Sequence, residues 1–323
     1  MNFDLDEGQR EFAAMAGKFY EQSAGAGKAR EALGGTAPSP GLSSVAELGF
    51  YGIVVPEEAG GIGQSVLDAA VVAEQAGRWL ASPSMVTAVR AAILLADQPE
   101  LLAQLADGSV AFSVLDDRIG IDAVGAERFL ALREGNLVIG EGEVSTQDPI
   151  DATRGLARVE LHDPEVLVSD AAQLWERARL IAAVVLAAED LGTAGRALEI
   201  GVEYANLREA FGRKIGSYQA VKHLLVDVYV GIEQLRSLVW WAAWAADHSP
   251  QDLPIAASAA KALSARVVEQ AGEALIQVHG GIGFTWEHDA HLYWRRAKVD
   301  RLLLGDEASH LDAVARLSLA AAS

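Results

Sequence analysis

The chain has 323 residues, about half of them hydrophobic, and a formal net charge of −19. That length supplies one large domain or two to three smaller ones with a sizeable core, and the acidic balance disfavours nonspecific association with nucleic acid or an acidic membrane surface. The absence of cysteine excludes disulfides, thiol nucleophiles and thiolate metal sites.

The first residues, Met1 through Glu7, are acidic and lack an apolar segment, so they do not read as a signal peptide. The longest strongly apolar runs, near 180–188 and 238–246, fall short of the roughly 20 residues a membrane span requires. A cytoplasmic protein without a membrane segment is expected. Residues 1–108 read as a helical domain. Phe12, Met15, Phe19 and Tyr20 recur at helical spacing, as do Leu67, Val71, Val72 and Gln75. Gly/Pro/Ser clusters at 34–43 and 56–63 interrupt the pattern, the second after the apolar run Tyr51-Gly52-Ile53-Val54-Val55.

Residues 109–168 change character. Short runs at 110–115, 129–132, 136–139 and 157–161 are rich in branched and aromatic residues and bounded by Gly, Asp or Pro, as strands are. They predict a small β domain. Residues 169–323 return to helical periodicity with abundant alanine: long helices over 171–207, 217–247 and 254–279, and a last one from about Ala308. Four such helices predict an antiparallel four-helix bundle. Trp240, Trp241 and Trp244 suit its core or a subunit interface. The fold class is therefore mostly α with a small β domain.

Two stretches carry chemistry. Around Arg208-x-x-Phe211-Gly212 a helix ends in a glycine-punctuated basic turn, and another begins near Ser217, which fits an N-cap. Arg208, Arg213 and Lys214 concentrate positive charge in an acidic chain. Guanidinium beside free backbone amides suits a pyrophosphate; cations complementing a helix C-terminus are the plainer alternative. At Gln277-Val278-His279-Gly280-Gly281-Ile282-Gly283-Phe284 a helix stops and three glycines follow. They allow close approach of a ligand, or simply cap the helix. His288, Asp289 and His291 are too loosely spaced for a metal site, and none is expected. Tyr293, Arg295 and Arg296, on the following helix, read as packing and charge-pairing residues.

Together these elements resemble the C-terminal signatures of acyl-CoA dehydrogenases: R-x-x-F-G with a downstream Gln, here Gln219, then Q-x-x-G-G-x-G-F. The run Leu48-Gly49-Phe50 through Gly61-Ile62-Gly63 resembles the family's N-terminal element, and Glu74-Gln75-Ala76-Gly77-Arg78 its following E-x-x-G-R helix end. The resemblance covers most of the chain in the right order. It implies an N-terminal helical domain, a middle β domain, a C-terminal four-helix bundle, FAD as cofactor and an acyl-CoA thioester as substrate, with a carboxylate taking the α-proton and the flavin the β-hydride. By matching position it gives Arg208, Phe211, Gln219, Gln277, Gly280 and Gly281 the role of holding the ADP part of a FAD bound mainly by a neighbouring subunit.

Two departures qualify this. Many members carry a glutamate before a Gly, and the matching position, 27 residues past Gln277, is Leu304. Asp306 and Glu307 follow closely and are candidate bases, or N-capping residues of the last helix. Other members place the base early in the first bundle helix, where the match is Ala182; Glu176 lies about a turn and a half too early. The β region also lacks a T-E-P-x-x-G-S-D-like segment and is about half the usual length. This pattern resembles the shorter subunits of heteromeric acyl-CoA dehydrogenases of steroid-degrading actinobacteria. It implies a longer homologous partner, in a heterotetramer with two copies of each chain, and an electron-transfer-flavoprotein-type acceptor. Two other readings stay open: a self-sufficient homomeric dehydrogenase with Asp306 or Glu307 as base, and a flavin-free structural or regulatory subunit.

Overall fold

The computed structural model describes residues 4–322, with side chains through Ala320. The helix α1 (Glu7–Ser23) opens with a reciprocal cap: the Asp6 carboxylate accepts from the Gln9 amide at 2.8 Å, and the Gln9 side chain accepts from the Asp6 amide at 3.0 Å. Its apolar stripe is narrower than the periodicity predicts. Tyr20 is fully buried, but Met15 sits at the edge, 44% exposed. Short helices α2 (Ala26–Leu33) and α3 (Leu42–Glu47) follow. The apolar run Tyr51–Val55 lies in turns, buried apart from a partly exposed Val54. Its glycines serve backbone packing: a Cβ on Gly61 would lie 2.1 Å from the Val55 carbonyl oxygen.

The helices α4 (Val66–Arg78), α5 (Met85–Leu94) and α6 (Pro99–Asp107) complete the N-terminal part. The glycine of the E-x-x-G-R segment has a packing explanation. A Cβ on Gly77 would lie 1.9 Å from the Glu189 carbonyl oxygen, and one on Gly192 would lie 1.8 Å from that of Glu74. The two glycines let α4 touch the long helix α7 (Ala172–Leu207) backbone to backbone. Ion pairs flank the crossing: Arg78 with Glu199, and Arg236 with Glu74 at 2.7 Å.

The β region closes into a barrel. Strands β1 (Phe112–Asp116), β2 (Ile119–Gly120), β3 (Arg128–Arg133), β4 (Asn136–Ser145) and β5 (Ala157–Val168) pair in the order β1-β2-β5-β4-β3, and β1 lies parallel to β3. Leu115, Phe129, Val138 and Val159 fill a small core of its own. Closure removes the free strand edges that so short a sheet would otherwise present.

The C-terminal helices are α7, α8 (Gln219–His248), α9 (Leu253–His279), α10 (Ala290–Asp300) and α11 (Glu307–Ala322); between α7 and α8 lies a hairpin of β6 (Glu209–Ala210) and β7 (Arg213–Lys214). The helix α9 packs against α7, α8, α10 and α11. Ser217 does not cap α8. A 3-10 turn over Ile215–Ser217 intervenes, its hydroxyl donates to the Lys214 carbonyl at 2.6 Å, and Tyr218 takes the N-cap position without a side-chain bond. Among the described residues no helix is long and apolar enough to cross a membrane.

A buried charge network ties these layers together. Arg154, in the turn before β5, pairs with Glu189 of α7 and Asp300 of α10, and Arg296 of α10 pairs with Asp151. Burial alone would raise the Asp151 carboxyl; the Arg296 guanidinium and the Thr153 hydroxyl outweigh it and hold it below the ordinary carboxylate range. Two further carboxyls shift the other way. Burial pushes Asp122 up to about 6 against hydrogen bonds from Thr87 and Ser84. Burial, with Asp300 adding to it, pushes Asp190 up to about 7 against Lys261 and Ser264.

Candidate functional site

The segment after α7 forms a rigid projection. Arg208 leaves the helix with extended backbone, and β6 and β7 pair Ala210 with Arg213 around a two-residue turn, Phe211-Gly212. Both turn residues have positive φ, 52° and 78°, as a hairpin turn matched to strand twist requires. The Tyr218 hydroxyl donates to the Ala210 carbonyl at 3.0 Å, the Arg213 guanidinium lies 4.0 Å over the Tyr218 ring, and the Lys214 ammonium donates to the Leu207 carbonyl at 3.1 Å. The hairpin backbone is thereby braced, and the Phe211 ring at its tip is 98% exposed. Leaving it in water forgoes roughly 1.5–3 kcal/mol of burial.

Beside the hairpin, the end of α9 supplies a cradle. Gly280 adopts φ 62° and ψ −141°, which only glycine takes without strain, and a Cβ on Gly280 or Gly281 would meet nothing within 4 Å. The cavity between the two segments measures about 410 Å³ and is lined by Tyr204, Arg208, Ile215, Gln277, His279, Gly280 and Gly281, among others. Among the described residues the Arg208 guanidinium is in no ion pair. An open glycine backbone next to an uncommitted guanidinium fits a pyrophosphate. Four of the six positions expected to hold ADP, namely Arg208, Gln277, Gly280 and Gly281, converge here. Phe211 does not line the cavity but projects from the adjoining hairpin, and Gln219 sits exposed at the first turn of α8.

A second cavity, about 420 Å³, opens between the barrel, α5 and the link from α10 to α11. Val86, Val114, Ile121, Leu156 and Leu302–Leu304 make it largely apolar. Its charges are already committed. Arg90 grips Asp116 at 2.6 and 2.7 Å over the Trp175 ring, and Arg179 binds Glu176 and the Leu304 carbonyl. Leu304, where a base is expected by position, has φ 59°. Its carbonyl also lies 3.0 Å from His310 Nε2, which must carry the proton because a carbonyl only accepts.

Neither candidate base reaches this cleft. The Asp306 carboxylate accepts from the Ser309 amide at 2.9 Å, the N-terminal cap of α11, and that bond holds its carboxyl below the ordinary range. A general base near neutrality needs the opposite shift. Glu307 lies 3.9 Å from Arg266 on another face. Glu176 is taken up by Arg179, and Ala182 is fully buried. His288, Asp289 and His291 do not converge: His288 packs on His279, Asp289 pairs with Arg30, and His291 meets Trp286. Among the described residues no cluster suits a metal ion.

Comparison with known proteins places this geometry. Residues 6–99 match the acyl-CoA dehydrogenase N-terminal domain and residues 178–319 match the acyl-CoA dehydrogenase C-terminal domain. The acyl-CoA dehydrogenase IpdE2 of Mycobacterium tuberculosis is 38% identical over 267 residues, covering 80% of this chain and 80% of that protein. This chain belongs to the acyl-CoA dehydrogenase family. The ChsE4-ChsE5 complex from Mycobacterium tuberculosis contains a chain that matches in fold, with a TM-score of 0.86 at 22% identity over 98% of both chains. A structure of the Tcur3481-Tcur3483 steroid ACAD matches with a TM-score of 0.85 at 25% identity, over 98% of this chain and 99% of that one. The cofactor of this dehydrogenase family is FAD.

Sequence reasoning missed two groups. Tyr204, Ile215 and His279 line the cradle; His279 stands inside the glycine motif and could have been singled out there. The Arg154–Glu189–Asp300 network had no local signal, since its members are 35 and 146 residues apart.

Proposed function

We propose that this chain is the shorter subunit of a heteromeric, FAD-dependent acyl-CoA dehydrogenase, and that Arg208, Phe211, Gln219, Gln277, Gly280 and Gly281 hold the ADP half of a FAD shared with a longer homologous chain. The observation that carries the reading is Phe211: a fully solvated aromatic ring at the tip of a braced hairpin, beside an open glycine backbone and an uncommitted guanidinium. Such a projection gains its burial only when a partner covers it.

The reaction is α,β-desaturation of an acyl-CoA thioester. When bound, FAD supplies the hydride acceptor. In this reading the Arg208 guanidinium neutralises a pyrophosphate, the Gly280–Gly281 backbone lets it approach, and Phe211 covers the nucleotide and excludes water. The partner supplies the carboxylate, because the local cleft presents Leu304. The steroid ACAD and the two-component complex among the structural neighbours support a bulky acyl group and a two-chain assembly; the reading extends this to a two-by-two heterotetramer in the cytoplasm that passes electrons to an electron-transfer-flavoprotein-type acceptor.

The test is Arg208→Ala in the complex co-expressed with its longer homologue. Loss of a charge-assisted contact weakens binding by roughly 1.5–3 kcal/mol, about 10- to 100-fold in the FAD dissociation constant. Unchanged flavin content in that variant would show that the nucleotide lies elsewhere.

A further inference from the structure

His279, immediately before the cradle glycines, is the most enclosed polar group lining the site, 5% exposed. Its ring stacks on Tyr204, with centroids 4.0 Å apart and planes 27° apart, and His288 packs against it at 4.2 Å. Its Nδ1 lies 2.8 Å from the Leu275 carbonyl oxygen. A carbonyl only accepts, so Nδ1 carries a proton. Nε2 is buried and has no hydrogen-bond partner among the described residues. The turn that follows folds back onto this residue: a Cβ on Gly283 would lie 3.0 Å from the His279 Cβ. The glycine turn therefore packs against the base of the His279 side chain.

Consider a second proton, on Nε2. It would add a buried donor with no acceptor, and a cation with no counter-ion. The groups facing the ring give no relief. From the end of α7 they are Tyr204 and Arg208, from the 285–289 loop His288, and from α9 itself the Leu275 carbonyl. Of the carboxylates nearest in sequence, Glu273 is engaged by Lys298, Glu287 is exposed, and Asp289 is engaged by Arg30. Burial first, then His288, hold the His279 imidazole below the ordinary histidine range, against the Leu275 bond.

We propose that His279 is a positioning residue for the nucleotide site: a neutral Nδ1–H imidazole clamped between Tyr204 and His288, whose neutrality keeps the Gly280–Gly281 turn in its ligand-accepting shape. This rests on the ADP-clamp reading above. The sign follows from the depressed titration. The stack's contribution is complete above the ordinary histidine range and declines as pH falls below it, and the ring itself takes its proton only at a still lower pH, so acid loosens the cradle and releases FAD.

The experiment follows free-FAD fluorescence from the co-expressed complex between about pH 5 and 8, for the wild type and His279→Phe, which keeps a stacking ring but cannot titrate. The wild type should release FAD on the order of tenfold faster at the acid end, and His279→Phe should give a flat profile. Imidazole 15N shifts of the wild-type chain, free of cofactor, should report the neutral Nδ1–H tautomer at pH 7, a measurement that does not depend on the variant folding. A charged or Nε2–H His279 at pH 7, or equal acid release in both proteins, would overturn the inference alone. If Arg208→Ala retained its flavin in full, the clamp reading would fall and the inference with it.

Discussion

At the Arg208 end, the chain sets out an exposed phenylalanine, two open glycines and a guanidinium in no ion pair among the described residues. At the Leu304 end, it lines a cleft of similar volume, about 420 against 410 Å³, with leucine and valine, and pairs Arg90, Arg179 and Asp116 internally or with neighbours. Volume therefore does not separate a binding site from a packing defect; the state of the polar groups does. Where charges are paired within the chain, a ligand gains little by replacing those pairs. Where they are left unpaired, a ligand or partner gains what folding left unused.

One buried charge network ties α7 and α10 to the turn before β5, and breaking it has the largest expected effect. Arg154→Met leaves Glu189 and Asp300 buried without their shared cation, which costs about 3–5 kcal/mol in stability. Chemical denaturation followed by circular dichroism checks this. A cost below about 1 kcal/mol would mean that this network does not support the fold.

A smaller effect comes from the same network through pH. Asp122 and Asp190 titrate at about 6 and about 7, above the value of about 3.9 for an unfolded aspartate. Their contribution is therefore complete below about pH 4 and is lost as pH rises through about 6 and 7. The slope is at most about 1.4 kcal/mol per pH unit for each group. Denaturation midpoints measured from pH 5 to 8 should fall, and Asp190→Asn should flatten the upper half of the curve. An unchanged slope would remove Asp190 from the account.

The smallest effect sharpens the contrast between the clefts. Leu304→Glu places a carboxylate at the expected position, yet the chain on its own should gain no acyl-CoA oxidation, because in the proposed reading the partner holds the flavin ring. Turnover appearing in a dye-reduction assay would show that the Leu304 cleft is a site lacking only its base.

Much of this was legible in the sequence, for physical reasons that differ by region. The bundle helices were readable because long apolar periodicity sets helices wherever they pack, and the observed ends of α7 and α9 fall within a residue of those expected. The glycine elements were readable because only glycine fits where backbones touch, as at Gly77, or where φ and ψ leave the common regions, as at Gly280. Closure of the barrel through the two-residue strand β2 was not, because so short a strand has no period to read. The start of α8 was misplaced because a 3-10 turn took the residues that a cap pattern would claim. Arg154, Glu189 and Asp300 escaped because nothing local marks a charge whose partner arrives from another layer.

The central claim, that this chain offers half of a flavin site rather than a whole one, is tested most directly by its visible absorption spectrum, recorded after expression alone and after co-expression with the longer homologue. The account predicts a colourless chain alone and stoichiometric flavin absorption in the complex. A yellow chain that, by itself, holds one FAD per protomer and oxidises an acyl-CoA would contradict it.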